Sequence, residues 1–291
     1  MAEPQALPTL SVLDDVHSFW SQKWAAPKLG WHLNDVNPLL EKYTDLWLGI
    51  DVENNSVFVP LCGKSVDLAN LASHPKVSHV VGIDIVRDAA EQFASEHPEL
   101  SMLEYANEIT TCQGDETDQS CKATSDKECS LINGSLFRGK GITFLLGDLF
   151  DFMTMSSDER LNCINRDKPD ASKDSSQFDA IYDRASMIAI EPTKRQDYTI
   201  LLGSMLRPGG SILLITIEKR TIIKEEAKLS GPPFSIDEMQ VRQFYEGLDW
   251  VESITLLEER NEINSDADAE RWKERGVSEA YELVFLIRKK K

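Results

Sequence analysis

The sequence has few basic residues for its length. Its 291 residues include 31 lysines and arginines against 49 aspartates and glutamates, which gives a formal net charge of -18. Because phosphate backbones and anionic lipid surfaces attract cationic proteins, this charge argues against binding to nucleic acid or to an anionic membrane. No apolar run approaches the roughly 18 residues that a membrane-spanning helix needs. We therefore expect no nucleic-acid partner and no membrane partner.

The sequence also lacks several motifs that carry chemistry in other classes of protein. Its five cysteines include no C-x-x-C pair, and its five histidines show no metal-ligand spacing, so no metal site is predicted. A G-x-S-x-G element, typical of serine hydrolases, is absent. The odd number of cysteines and the lack of a secretory leader predict a reducing compartment. A cytoplasmic protein is therefore expected.

The most informative segment, residues 56–84, reads SVFVPLCGKSVDLANLASHPKVSHVVGID. An apolar run ends in a turn that contains Gly63, a short helical segment follows, and a second apolar run ends at Asp84. This order predicts the opening of a doubly wound α/β sheet, which binds ligands at the carboxyl ends of its strands. A carboxylate at Asp84 can accept hydrogen bonds from both ribose hydroxyls. One glycine instead of G-x-G-x-x-G disfavours a pyrophosphate, so adenosine without phosphates fits better, as in S-adenosylmethionine.

The rest of the chain continues this pattern. Strands alternate with helices, which predicts one domain over residues 1–291 with a mainly parallel sheet, helices on both faces and an antiparallel terminal strand. Residues 16–49 precede the sheet and are interpreted as a helical lid. Two polar stretches without periodicity, residues 107–139 and 156–177, are interpreted as inserted loops.

Three acidic residues follow predicted strands and are therefore expected at one rim of the sheet. Asp84 is assigned to the ribose, and Asp148 to the adenine amino group, with a helix cap as the alternative for Asp148. Asp183 is followed by Arg184, a cation suited to the methionine carboxylate or to an anionic substrate; an ion pair with a neighbouring acid is the alternative. Cys62 is interpreted as a small buried apolar residue rather than a nucleophile.

Several motifs in this order resemble the thiopurine S-methyltransferase family. They are WSQKW (residues 20–24), GWH (30–32), PLCGK (60–64), VVGIDI (80–85), YDR (182–184) and GPPF (231–234). The resemblance covers about residues 16–288, with the two polar stretches as its main departures. It implies a class I methyltransferase with a Rossmann-like sheet. It further implies a monomer that transfers a methyl group from S-adenosylmethionine to aromatic or heterocyclic thiols by direct displacement.

The resemblance also implies the site residues. The cofactor-binding residues are then Trp20, Trp24, Trp31, Leu61, Gly63, Asp84, Asp148, Leu149 and Arg184. The substrate-binding residues are Trp31, Arg184 and Arg271, and the catalytic residues are Arg184 and Asp183, the latter orienting Arg184. Four positions depart from the family pattern: Asp84 stands for the glutamate of mammalian members, Asp148 and Leu149 for a Ser-Ile pair, and Trp31 for a phenylalanine.

Other functions remain open at this point. Plant halide and bisulfide methyltransferases share the GW and GPPF elements, but they differ at the Gly63 turn and lack the Asp-Arg pair, which favours thiol acceptors here. Bacterial members of the family also methylate selenium compounds. A non-catalytic S-adenosylmethionine-binding regulator would bind cofactor and leave every acceptor untouched. An NAD-dependent oxidoreductase is disfavoured by the single glycine at Gly63.

Overall fold

The computed structural model describes residues 16–25, 32–50, 53–106, 135–164, 176–222 and 231–291. Within these ranges the chain forms nine α-helices and one sheet of nine strands. The helices are α1 (Val16–Trp24), α2 (Pro38–Leu48), α3 (Val66–Ala72), α4 (Arg87–Glu96), α5 (Leu149–Thr154), α6 (Ser157–Ile164), α7 (Arg195–Met205), α8 (Glu238–Tyr245) and α9 (Asp266–Glu274). The strands are β1 (Asn55–Val59), β2 (Val77–Asp84), β3 (Leu103–Ala106), β4 (Ser135–Gly139), β5 (Ile142–Leu146), β6 (Phe178–Arg184), β7 (Leu206–Ile222), β8 (Val251–Asn261) and β9 (Val277–Lys289).

The sheet confirms the predicted fold class. Its strand order is β3-β4-β5-β2-β1-β6-β7-β9-β8. The five central strands, β5, β2, β1, β6 and β7, pair in parallel. Antiparallel pairs extend this core on both sides, β3 and β4 at one edge and β9 and β8 at the other. The terminal strand β9 is therefore antiparallel and lies one position from the edge.

The central strands are apolar because helices cover both faces of the sheet. All five residues of β5 are buried, and so are Val57, Phe58 and Val59 of β1. A parallel sheet covered on both faces needs such continuous apolar runs, and alternating side chains serve two separate cores. Phe58 packs in the core beside α7, whereas Val57 packs in the core beside α2. No helix within the described ranges has the length and apolar character to cross a membrane.

The two predicted loops were partly wrong. Residues 135–139 form β4, which pairs with β5 and buries Leu136 and Phe137. Residues 157–164 form α6, whose inward face includes Arg160. The Arg160 guanidinium donates hydrogen bonds to the carbonyl oxygens of Met153 and Met155, so an arginine replaces an apolar residue in the helical pattern. Residues 107–134 and 165–175 lie outside the described residues.

The order of the strands reverses at β1, and this reversal positions the site. From β1 the chain proceeds to β2 on one side, and it later returns to β6 on the other side. The loops after β1 and β6 therefore diverge and leave a crevice at the carboxyl ends of the strands, where ligands bind in sheets of this kind. Both loops contain, within their first two residues, a residue other than glycine with a positive φ: Leu61 has φ 41° and Ala185 has φ 74°.

Candidate active site

A single cavity occupies this crevice. It encloses about 1490 Å³, including space that is open to solvent, and extends over the ends of β2, β1, β6 and β7 as far as β9. Asp84 lies at its β2 side, Arg184 at its centre and Arg271 at its β9 side. The cavity therefore has two differently built ends, which we call the carboxylate end, around Asp84, and the arginine end, around Arg271.

The turn after β1 forms the floor of the carboxylate end. Gly63 has φ 52°, a backbone conformation that favours glycine. A Cβ atom on Gly63 would lie 2.9 Å from Cζ2 of Trp24, so any side chain there would displace the tryptophan. Trp20 and Trp24, both from α1, line the cavity above this turn. The structure thus brings together Trp20, Trp24, Leu61 and Gly63, four of the predicted cofactor residues, whereas Trp31 lies outside the described residues.

Asp84 is held by the backbone of two turns. Its Oδ2 atom accepts a hydrogen bond from the Gly63 N–H at 2.9 Å, and its Oδ1 atom accepts one from the Val86 N–H at 2.9 Å. Burial raises the pKa of Asp84 to about 6, although these hydrogen bonds favour the ionised form. The Ile85 N–H also stabilises the ionised carboxylate. Because the two oxygens of a carboxylate offer about four acceptor sites, Asp84 retains acceptor capacity for a hydroxyl donor such as that of a ribose.

Arg184 and Asp183 point to opposite faces of the sheet. Side chains alternate along β6, and Tyr182 and Arg184 both line the cavity. The fully buried carboxylate of Asp183 accepts hydrogen bonds from the Tyr198 hydroxyl at 2.8 Å and from the Met187 N–H at 3.2 Å. The expectation that Asp183 shares the rim with Asp84 is corrected accordingly. In the structure Asp183 holds α7 against the end of β6.

Asp148 and Leu149 are not among the residues that line the cavity, although the neighbouring Gly147 N–H donates to the backbone carbonyl of Asp84 at 3.0 Å. The Asp148 carboxylate accepts hydrogen bonds from the N–H groups of Phe150 and Asp151, so it caps the first turn of α5. Leu149 is 3% exposed and belongs to the apolar core. These contacts favour the alternative that the sequence offered for Asp148, a helix cap.

This cap gives a prediction. Asp148→Ala should lower the free energy of unfolding by about 1 kcal/mol, because two helical N–H groups lose their acceptor. Urea unfolding measures that loss, and calorimetry with S-adenosylhomocysteine should show unchanged affinity. A weaker affinity with unchanged stability would instead restore Asp148 to the adenine site.

A buried network supports the centre of the cavity. Asp67, 2% exposed, accepts hydrogen bonds from the Asn37 N–H at 2.8 Å and from the Tyr182 hydroxyl at 3.0 Å. Asn37 in turn caps α2, where its Oδ1 atom accepts from the Leu39 N–H. Asp67 and Tyr182 both line the cavity. The network therefore connects α2, α3 and β6 at the wall of the cavity.

The arginine end contains residues that the sequence motifs did not indicate. Glu262, Trp272, Arg275 and Glu282 line it together with the predicted Arg271. Glu262 Oε1 accepts a hydrogen bond from Arg271 Nη2 at 3.1 Å. Burial and the nearby Glu282 raise the pKa of Glu262 to about 7, although Arg271 and Arg184 oppose that rise. Glu262 directly follows β8, Trp272 lies on α9, Arg275 follows α9 and Glu282 lies on β9; the high density of charged residues in this part of the sequence was their only local signal.

The remaining candidate groups carry no further chemistry. Cys62 is 7% exposed, and burial beside Asp84 raises the pKa of its thiol well above the ordinary value. It is thus a protonated, buried side chain, as interpreted from the sequence. Across the described ranges, no cluster of three or more histidine, cysteine, aspartate or glutamate residues could hold a metal ion.

Comparison with known proteins gives the family. The family model described as Thiopurine S-methyltransferase (TPMT) matches residues 16–290. The chain belongs to this family. A thiopurine S-methyltransferase of Vibrio atlanticus (strain LGP32) is 31% identical over 270 residues, covering 92% of this chain and 96% of the relative. Another, of Aliivibrio salmonicida (strain LFI1238), is 32% identical over 272 residues, covering 93% and 98%.

Solved structures share the fold of this thiopurine S-methyltransferase family member at low identity. A phosphoethanolamine N-methyltransferase 2 of Haemonchus contortus, in complex with S-adenosyl-L-methionine, matches with a TM-score of 0.54 at 11% identity, covering 99% of this chain and 61% of that one. A 1,6-didemethyltoxoflavin-N1-methyltransferase of Burkholderia thailandensis matches with a TM-score of 0.51 at 12% identity, covering 100% and 94%. The predicted family is confirmed, and the protein is an S-adenosylmethionine-dependent methyltransferase.

Proposed function

We propose that the protein transfers the methyl group of S-adenosylmethionine to a thiol acceptor in this cavity. The observation that carries the proposal is the arrangement of Asp84 and Arg184 along one continuous cavity, with Arg271 beyond Arg184. A carboxylate suited to ribose hydroxyls lies at one end, and guanidinium groups suited to an anionic acceptor lie at the centre and at the other end.

The carboxylate end suits the hydrogen-bond donors and the positive charge of the cofactor. Asp84 accepts from the ribose hydroxyls, and the backbone at Gly63 allows the close approach that a side chain would block. Trp20 and Trp24 present aromatic rings to this end, where a sulfonium gains cation–π attraction. When bound, S-adenosylmethionine supplies an electrophilic methyl group on that sulfonium.

The arginine end fits the acceptor. Arg184 and Arg271 attract a thiolate electrostatically and hold it in line with the reacting carbon. Because an aromatic thiol is already largely ionised near neutral pH, orientation and removal of water supply most of the rate acceleration. The monomeric state and the thiopurine-type preference belong to the same proposal, which rests on family membership at about 30% identity.

A panel of acceptors tests the proposal. Initial rates are measured with labelled S-adenosylmethionine and, in parallel, a thiopurine, thiophenol, hydrogen sulfide, iodide and selenite. We expect the highest kcat/KM with the aromatic thiols. Turnover confined to iodide or sulfide would move the protein to halide and bisulfide methylation. Calorimetric binding of S-adenosylmethionine without any transfer would identify a regulator.

A further inference from the structure

We propose that Glu262 is the general base that removes the proton from the thiol of the methyl acceptor. This role allows the enzyme to methylate thiols that are not ionised at the pH of the reaction. This inference rests on the proposed thiol methylation and adds to it a catalytic residue at the arginine end. Glu262 follows β8 directly, and its backbone N–H donates to the carbonyl oxygen of Ala280 at 2.9 Å, which fixes its position beside β9.

Among the carboxylates that line the cavity, Glu262 accepts the fewest hydrogen bonds from the described part of the protein. The other three are each held by at least two hydrogen bonds: Asp84 by backbone N–H groups, Asp67 by a backbone N–H and a tyrosine hydroxyl, and Glu282 by two nitrogens of Arg260. Glu262 accepts one, from Arg271 at Oε1. Among the described residues none donates a hydrogen bond to its Oε2 atom. One oxygen of Glu262 is therefore available to a proton from the acceptor.

The charges around Glu262 suit this role. Glu282 on β9 and Asp268 on α9 favour its protonated form, whereas Arg271 on α9 and Arg184 on β6 favour its ionised form. Burial is the largest influence, and with the two acidic residues it outweighs the two arginines, so the pKa of Glu262 is raised to about 7. A base with a pKa near the working pH is half ionised and takes up a proton readily, which is the balance that general base catalysis requires. An ordinary glutamate, with a pKa of about 4.3, is a much weaker base.

The proton transfer balances without any further reactant. The S–H bond of the acceptor breaks, its proton bonds to Oε2 of Glu262, and the electron pair remains on sulfur. That sulfur forms the new bond to the methyl carbon while the sulfonium–carbon bond breaks. Glu262 afterwards releases the proton to solvent. Arg184 and Arg271 stabilise the negative charge that is present on sulfur between these events.

Two acceptors with different thiol acidity provide the test. Thiophenol is ionised at pH 7.5, whereas 2-mercaptoethanol resembles the cysteine thiol, with a pKa of about 8.5 or higher. Glu262→Gln should lower kcat/KM about 100-fold for 2-mercaptoethanol and less than about 3-fold for thiophenol. Glu270→Gln is the matched control, because Glu270 is exposed on α9 and does not line the cavity. Calorimetry with S-adenosylhomocysteine verifies that the variants fold and bind cofactor.

The pH profile gives a second readout. With 2-mercaptoethanol, kcat/KM of the wild-type protein should rise with pH and level off above about 7, as Glu262 becomes ionised. In Glu262→Gln it should continue to rise until the free thiol ionises, and Glu262→Asp should restore part of the lost rate. Equal loss with both acceptors, or no loss with either, overturns the role of Glu262 while thiol methylation stands. Absence of wild-type turnover with both thiols overturns the role of Glu262 and the proposed function together.

Discussion

Asp84→Asn should weaken the binding of S-adenosylhomocysteine about 100-fold, which corresponds to about 2.7 kcal/mol. The carboxylate accepts backbone N–H groups on both oxygens and retains acceptor capacity for a ribose hydroxyl. An asparagine amide has one acceptor oxygen, so its NH₂ group faces either the Gly63 or the Val86 N–H and cannot accept from the ribose. Titration calorimetry at pH 7.5 measures the loss, and kcat at saturating cofactor should change much less.

The protonation state of Asp84 gives this prediction a specific signature. Its pKa in the free protein is raised to about 6 by burial, and hydroxyl donors favour the ionised form, so ligand binding lowers that pKa. The affinity should therefore be constant above about pH 6 and fall below it, with proton release on binding near pH 5.5. Asp84→Asn should abolish the proton release. The control Asp88→Asn removes an exposed carboxylate of α4 and should leave both quantities unchanged. Affinity in Asp84→Asn equal to that of the wild type would refute the ribose assignment.

Arg184→Ala should lower kcat/KM for thiophenol about 100-fold and change the affinity for S-adenosylhomocysteine less than about 5-fold. Arg184 is half-buried at the centre of the cavity, where a guanidinium interacts with an anion more strongly than in bulk water. Arg184→Lys should recover only part of the loss, because an ammonium group lacks the planar pair of donors. Steady-state kinetics with thiophenol, at saturating S-adenosylmethionine, measures both variants.

An exposed arginine serves as the control for Arg184. Arg242 on α8 pairs, within the described residues, with Glu238 on the same helix and with Glu246 just after it, so Arg242→Ala should keep full activity. If Arg184→Ala retained the kinetics of the wild type with thiophenol, the acceptor would not contact the centre of the cavity. A loss confined to cofactor affinity would assign Arg184 to the methionine carboxylate instead.

The local sequence was sufficient to predict the part of the site that one short segment, residues 56–84, forms. Gly63 lies in the turn after β1, and Asp84 is the last residue of β2, the next strand along the chain. The order of strand, turn, helix and strand in this segment is sufficient to predict both positions. The structure places them together as expected, with the Gly63 N–H bonded to Asp84. Family motifs located Trp20, Trp24, Leu61 and Arg184 at the same cavity.

Other features of the site depend on how strands that are distant in the sequence pair, which the residues at the end of one strand do not indicate. Asp183 and Arg184 are neighbours, and only the pairing of β6 with β1 and β7 determines which of them faces the cavity. Glu262 lies far from the motifs and reaches the site because β8 pairs with β9 beyond β7. Strand β4 closes a polar stretch whose lack of periodicity predicts a loop, and its extended backbone is stabilised by pairing with β5, which the local sequence does not show.

The most direct test of the central claim compares thiophenol with phenol as the acceptor. Both are incubated with S-adenosylmethionine labelled in its methyl group, and the products are separated and identified by mass spectrometry. The account predicts labelled methyl phenyl sulfide from thiophenol, S-adenosylhomocysteine in equal amount, and no methylated phenol. Methylation of phenol at a comparable rate, or an unchanged thiophenol with bound cofactor, would contradict thiol methylation at this site.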